Sequence, residues 1–355
     1  MSVFLYAANL VVYEALAVMF DINSTAVLIA LGTVLGLFSA SFVASTILGS
    51  YFYNWFTRWY YRISAMWMGF SVYLFFTSVL YGLVVMVSGQ LVPHIGMALV
   101  VVAIGASVYG FMHAWRIVVK EVSVTLLNLP AAWQGRRAVW ISDLHLGQLH
   151  GPRFAARVVQ TVNALPHDII FIGGDLYDGT GAPDIIELAA PLRNFKAPLG
   201  TYFVTGNHEE FGDSGKFLEA IRGTGIKTLI DEVVVVDGLQ LIGVDYLNAT
   251  DRSRFELTLK DLKLDRNKAS VLLKHEPRDL DIACDAEVSL QISGHTHEGQ
   301  MWPIGLLVQL VYKGFAYGLR RMDSLQVYTS SGTGTWGPPM RVGTDSEIVV
   351  FVFRV

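Results

Sequence analysis

Apolar positions run almost unbroken through the first third of the chain and then change period. Four segments, roughly 3 to 20, 25 to 48, 63 to 87 and 94 to 115, each approach the ~20 apolar residues that a helix needs to cross a bilayer. The breaks between them are polar or turn-forming: DINST, an aromatic stretch with two arginines, and SGQLVPH. The pattern predicts a four-helix transmembrane domain over residues 1–116. No basic leader or twin arginine precedes the first segment, which is not the pattern of a cleaved signal.

From about residue 120 the apolar positions fall into short β-branched runs: VSVTLL, AVWIS, DIIFIG, TYFVTG, VVVVDG, LQLIGVD, SVLLKH, VSLQISG, LQVYTS and IVVFVF. Helical periodicity appears at about 152 to 164, 183 to 194 and 214 to 223. Strands alternating with helices predict an α/β domain over 117–355, a layered β-sandwich flanked by helices.

Charge sharpens this division. The chain has 26 Lys plus Arg and 30 Asp plus Glu, yet only Glu14, Asp21, Arg58 and Arg62 precede residue 116. So few charges cannot cover a water-exposed domain. Those four cancel, so the net charge of −4 belongs to the later part, and no basic field indicates a nucleic-acid polymer as partner. The single cysteine, Cys284, allows no internal disulfide. Lysine and arginine are retained on the cytoplasmic side. Arg58 and Arg62 lie between the second and third segments, and Arg116, Lys120, Arg136 and Arg137 follow the fourth. The expected arrangement is a multi-pass inner-membrane protein with its C-terminal domain in the cytoplasm.

Three features of the apolar part leave a choice open. Glu14 is either an intramembrane functional carboxylate or a sign that the first helix is interfacial. Gly32, Gly36, Ala40 and Ala44 recur every fourth residue and predict close helix packing. YFYNWFTRWYY, residues 51 to 61, has eight aromatics in eleven positions and reads as an interfacial belt, either anchoring the domain or presenting lipid to it.

Polar motifs sit where the later strands end, the usual place for chemistry on a rigid scaffold. Asp143-Leu144-His145 follows AVWIS. Gly174, Asp175 and Asp178 follow DIIFIG, and Gly206, Asn207, His208 and Glu209 follow TYFVT. His275 ends SVLLK, and Gly294-His295-Thr296-His297 ends LQIS. Singly, each is a common turn sequence. Together they bring carboxylate, amide and imidazole donors to one sheet edge, where burial without cations would cost several kcal/mol per group. Two divalent ions resolve that conflict. The donor mixture suits manganese, iron or zinc better than magnesium or copper(I), and manganese is favoured.

ISDLHLG, GGDLYD, GNHE, KHEP and GHTH, in this order, resemble the calcineurin-like metallophosphoesterase family over roughly residues 120 to 355, and GHTHEGQ with SSGTGTWGPPMRVG resembles its bacterial YkuE and YaeI branch. The resemblance implies a metal-dependent phosphoric ester hydrolase, most simply a phosphodiesterase. Asp143, His145 and His297 would hold one ion, Asn207, His275 and His295 the other, and Asp175 would bridge them. A hydroxide between the ions would be the nucleophile. His208 would protonate the leaving alkoxide, oriented by Asp178. Gly179 stands where the family's protein phosphatases carry arginine, which weakens a phosphoprotein reading. Glu298 replaces the branch's usual glycine and either selects a polar headgroup or faces solvent.

Residues 301 to 321, MWPIGLLVQLVYKGFAYGLRR, are apolar until Lys313 and the Arg320-Arg321 pair. They form either an exposed rim facing a bilayer or a buried strand and hairpin. The anchor and this rim point to a phosphodiester or pyrophosphate in a lipid or amphiphile. The alternatives are a soluble nucleotide, a UDP-diacylglucosamine-type pyrophosphatase, and a non-catalytic membrane receptor.

Overall fold

The computed structural model describes residues 2–179, 184–211 and 214–355. They form two compact units, one of residues 1–115 with 337–342, the other of residues 116–336 with 343–355.

The first unit is helical: α1 Ser2–Met19, α2 Thr25–Tyr51, α3 Trp55–Ser88 and α4 Pro93–Ala114. The helices α2, α3 and α4 are long and apolar enough to cross a membrane, whereas α1 is shorter. Four apolar helices are thus present as expected, three of them candidate spans, and Glu14 lies exposed on α1, which has 18 residues. The aromatic run is not a loop. Asn54 caps α3 through a reciprocal pair with Thr57, so Trp55, Phe56 and Trp59 occupy its first turns with exposed rings. Of the small residues on α2, Gly32 faces the Tyr13 ring and Gly36 has open space beside it. In the same unit Met340 packs against Gly69 and Gly110, and the Arg341 N–H donates to the Gly110 carbonyl at 3.0 Å.

The second unit has twelve strands in two sheets. In chain order they are β1 Ile117–Thr125, β2 Arg137–Ile141, β3 Ile169–Ile172, β4 Thr201–Phe203, β5 Lys227–Thr228, β6 Glu232–Val236, β7 Leu239–Gly243, β8 Ser270–Leu273, β9 Leu290–Ser293, β10 Gly318–Met322, β11 Leu325–Thr329 and β12 Ser346–Arg354. One sheet runs β1-β12-β2-β3-β4-β5 and the other β10-β11-β9-β8-β7-β6. The helices are α5 Pro152–Asn163, α6 Ile185–Ala189, α7 Asn207–Glu210, α8 Ser214–Arg222, α9 Tyr246–Thr250, α10 Arg252–Asp261, α11 Leu280–Asp285 and α12 Ile304–Val311.

Side chains alternate across a strand, so each strand serves two cores. Ala138 and Trp140 of β2 and Ile169 and Phe171 of β3 point between the sheets, where they meet Leu241, Val271 and Ile292. Val139, Ile141, Ile170 and Ile172 point the other way, onto Val158 and Val162 of α5 and Ile221 of α8. Ile242 and Leu272 cover the far face of the second sheet with Phe255 of α10. Burial on both faces explains the unbroken apolar runs. It also makes the unit the expected layered sandwich with outer helices.

Candidate metal centre

The strands β2, β3 and β4 are mutually parallel, as are β7, β8 and β9. Their carboxyl ends carry every motif, because the chain must leave each strand there in a loop. Asp143 and His145 follow β2, Asp175 and Asp178 follow β3, Asn207 opens α7 after β4, His275 follows β8, and His295 and His297 follow β9. Asp143, His145, Asp175, His295 and His297 all have φ between 48° and 69°. L-residues pay for this left-handed backbone, and such strain persists where surrounding structure fixes it, commonly at functional sites.

Two principal donor groups result, joined by a third of His145, Asp175 and His208. Ligand atoms of Asp143, His145 and His297 lie within 4.8 Å of one another, and so do those of Asp175, His275 and His295. The His145 and His297 Nε2 atoms are 3.1 Å apart, and His297 Nε2 is 3.6 Å from Asp143 Oδ1. His275 Nε2 is 3.2 Å from both Asp175 Oδ2 and His295 Nδ1, and Asn207 Oδ1 is 2.9 Å from His295 Nδ1. Asp175 Oδ2 lies 3.9 Å from His145 Nε2, so this carboxylate faces both groups. All seven residues expected as ligands are thus brought together.

Outer contacts fix the imidazoles. His275 donates its Nδ1–H to the Gly173 carbonyl at 2.7 Å, which leaves the Nε2 lone pair inward. His295 points Nε2 at Glu276 Oε1, 3.5 Å away, and Nδ1 inward. The His295 N–H donates to Asp143, and the His208 N–H to Asp175 Oδ1. Gly206 is required where it stands, since a Cβ would meet the Asp175 carboxylate.

Charge in this volume is unbalanced. Burial pushes the Asp143 carboxyl up to about 6. Burial opposes ionisation of Asp175 as well, but the His275 charge and hydrogen bond together with His208 and His145 outweigh it and hold Asp175 well below the usual carboxylate range. Reciprocally, burial disfavours the His275 cation, but Asp175 outweighs it and raises that imidazole to about 10. Burial, then repulsion from His275, lowers His295 to about 4, and burial keeps His145 neutral as well. Ligation requires ionised carboxylates and neutral imidazoles: His145 and His295 are already held neutral, whereas His275, which carries the proton that balances the buried carboxylates, would give it up to a cation.

His208 behaves differently from the expectation in one respect. Its Nδ1–H donates to the backbone carbonyl of Asp178 at 2.8 Å, while the Asp178 carboxylate stands 3.9 Å away and equally near His145. The carbonyl, not the carboxylate, sets this tautomer. Nε2 then faces the site, 4.0 Å from Asp175 Oδ2. The ring rests edge-on against His145 and Trp336 and tilted against Phe211.

Residues 136–299 match the family model described as calcineurin-like phosphoesterase. The chain carries a calcineurin-like metallophosphoesterase domain. Proteins with this domain bind two divalent metals, in keeping with the two donor groups. The chain is 34% identical over 236 residues to the Campylobacter jejuni metallophosphoesterase Cj0846, covering 65% of this chain and 62% of that protein. It is 33% identical over 274 residues to a Danio rerio transmembrane protein with metallophosphoesterase domain, covering 73% and 62%. With Bacillus subtilis YkuE the identity is 29% over 244 residues, covering 64% and 82%. The match thus spans about three fifths of the first two relatives' length.

Four further residues of the metallophosphoesterase domain act at the site, of which only Glu209 was named among the sequence motifs. Glu209 accepts backbone N–H bonds from Asp175, Leu176, Tyr177 and Gly206. Burial, then the neighbouring Asp175 charge, raises its carboxyl to about 7. Glu276 backs His295. Tyr312 donates its hydroxyl to Glu276 at 2.7 Å. Trp336 is clamped by Gln300, which donates to its carbonyl and accepts from its N–H. Adjacency to GNHE and KHEP was the available signal for the first two. Glu298 is half-buried, so solvent does not fully claim it.

Proposed function

We propose that the chain is a membrane-anchored hydrolase that cleaves a phosphodiester or pyrophosphate bond in a lipid or amphiphile at the cytoplasmic leaflet. The carrying observation is the Asp175 carboxylate, which belongs to one three-residue donor group and faces the other, in a chain that also has three candidate membrane spans.

Asp143, His145 and His297 would hold one divalent ion, and Asn207, His275 and His295 the other, with Asp175 between them. Manganese, iron or zinc fits these donors, manganese being favoured. Two such ions supply Lewis acidity toward phosphoryl oxygens and acidify water. The chain's own groups do the rest. His208 presents Nε2 to the site with its tautomer fixed at the other nitrogen, so in its protonated form it donates a proton to the departing alkoxide. Asp178 holds that ring through its carbonyl and lies between His208 and His145. Trp336 forms an apolar wall beside His208.

The bias of Arg58, Arg62, Arg116, Lys120, Arg136 and Arg137 supports a cytoplasmic catalytic domain in an inner membrane. The test is release of water-soluble headgroup from mixed phospholipids and nucleotide-linked lipids by the purified full chain with manganese. Turnover of lipid above that of soluble diesters supports the reading. Equal or exclusive turnover of soluble diesters or nucleotides overturns it, and leaves the helices as a tether.

A further inference from the structure

The helix α12 is built unlike any other helix of the metallophosphoesterase unit. Its sequence, IGLLVQLV, has one polar side chain, and none of its residues is buried. Leu306 and Leu307 are each 62% exposed and Leu310 77%, with Val311 and the preceding Trp302 also exposed. At 100° per residue, Leu306, Leu307, Leu310 and Val311 fall within about 140° of the circumference. That is a broad apolar face, and nothing in its own unit covers it.

Its attachments lie at its two ends. At the start, Gly305 approaches Gly299 so closely that a Cβ on Gly299 would strike the Gly305 backbone, which pins the helix to the His297–Gly299 turn. At the end, Tyr312 is held by Glu276, whose carboxylate also faces His295. The fold therefore fixes α12 firmly while leaving its leucines outward. A helix retained only for packing would turn them inward.

Charge identifies what lies opposite. Lys313, Arg320 and Arg321 are exposed just beyond the helix and form no salt bridge among the described residues. An apolar helix face flanked by free lysine and arginine is the pattern of a helix lying in the headgroup region, with basic groups on anionic lipid. A bilayer is also within reach by connectivity, since only Trp115 and Arg116 separate the candidate span α4 from β1. Eight residues make a helix of about 12 Å, far short of the ~30 Å hydrocarbon core, so α12 can lie along a leaflet but not cross it.

We propose that α12 is an interfacial helix whose leucine face is immersed in a lipid leaflet at the headgroup boundary, seating the His295–His297 ligand loop against the membrane surface. This rests on the membrane-anchored reading and deepens it, because a leaflet held there supplies an amphiphilic substrate directly to the metal centre.

The test uses the full chain, with Cys284→Ser, in bilayer discs of zwitterionic and anionic phospholipid. Single cysteines replacing Leu307, and separately Leu310, carry an environment-sensitive fluorophore, and a cysteine replacing the exposed Glu256 of α10 serves as control. Lipids brominated on the acyl chain should quench the Leu307 and Leu310 labels several-fold more than the Glu256 label, and aqueous iodide should do the reverse. Iodide quenching of both α12 labels to the level of the control overturns the proposal, because the helix is then in water. Protection from both quenchers overturns it equally, because a protein surface such as a second copy then covers the face. No substrate enters this measurement, so its failure is distinct from failure of lipid hydrolysis.

Discussion

Glu209 binds no cation in this geometry, yet four backbone N–H groups from two of the ligand loops end on its carboxylate. Glu209→Ala leaves those donors buried and unpaired, at about 1–3 kcal/mol each. The expected outcome is a clear fall in the thermal unfolding midpoint together with loss of bound metal, read by calorimetry and metal analysis. Asn207→Ala acts on one ion only. Its Oδ1 lies 2.9 Å from His295 Nδ1, and removing it should lower metal content from two equivalents toward one and abolish most turnover with the fold retained. Glu276→Gln removes the charge behind His295, and outer carboxylates of this kind are worth about 10–100-fold in metal affinity. A metal titration of the variant checks that figure. The seven donors were legible because each is a polar residue ending an apolar run. Glu276 and Trp336 were not, because their roles come from contacts across loops distant in sequence. The His208 arrangement could not be read either, since a backbone carbonyl carries no residue signature.

Among the elements, all ten β-branched runs are strands: eight are buried on both faces, which demands continuous apolar sequence, whereas β1 and β6 are partly exposed at the sheet edges. The strand β5 escaped notice for its brevity, and β10, where a buried strand and hairpin was one alternative, carries Arg320 and Arg321 exposed at a sheet edge. Residues 301 to 321 illustrate a deeper ambiguity. Apolar character alone cannot separate an exposed helix from a buried strand, and the chain contains an exposed helix followed by an edge strand. At α1 composition again decides nothing alone, since its 18 residues stand at the short end of what a span needs. At α3 the capping pair is a local and testable device. Asn54→Ala removes the acceptor of the Thr57 N–H and should cost about 1 kcal/mol, seen as earlier unfolding of the detergent-solubilised chain followed by helical circular dichroism.

For the molecule as a whole, bound ions and stability are linked, since a ligand that binds only the folded state adds RT ln(1 + [L]/Kd). Chelation should lower the unfolding midpoint of the metallophosphoesterase unit, and restoring manganese or zinc should recover it. Failure of any divalent ion to raise the midpoint would contradict the dinuclear assignment. The division into an apolar and a polar part was legible from four charges before residue 116. The grouping of residues 337–342 with the helices was not, because GPPMRV has neither the length nor the pattern of a membrane element.

The pairing of β1 with β12 sets an order of events during synthesis. The strand β12 stands between β1 and β2, so the first strand to follow the helices joins its sheet only through the last strand of the chain. A ribosome that has released β1 must still make more than two hundred residues before that gap can be filled. The apolar helices are therefore complete while the first sheet is still open at its edge. A message truncated after β1 but before Ser346 yields a chain whose first strand has no neighbour.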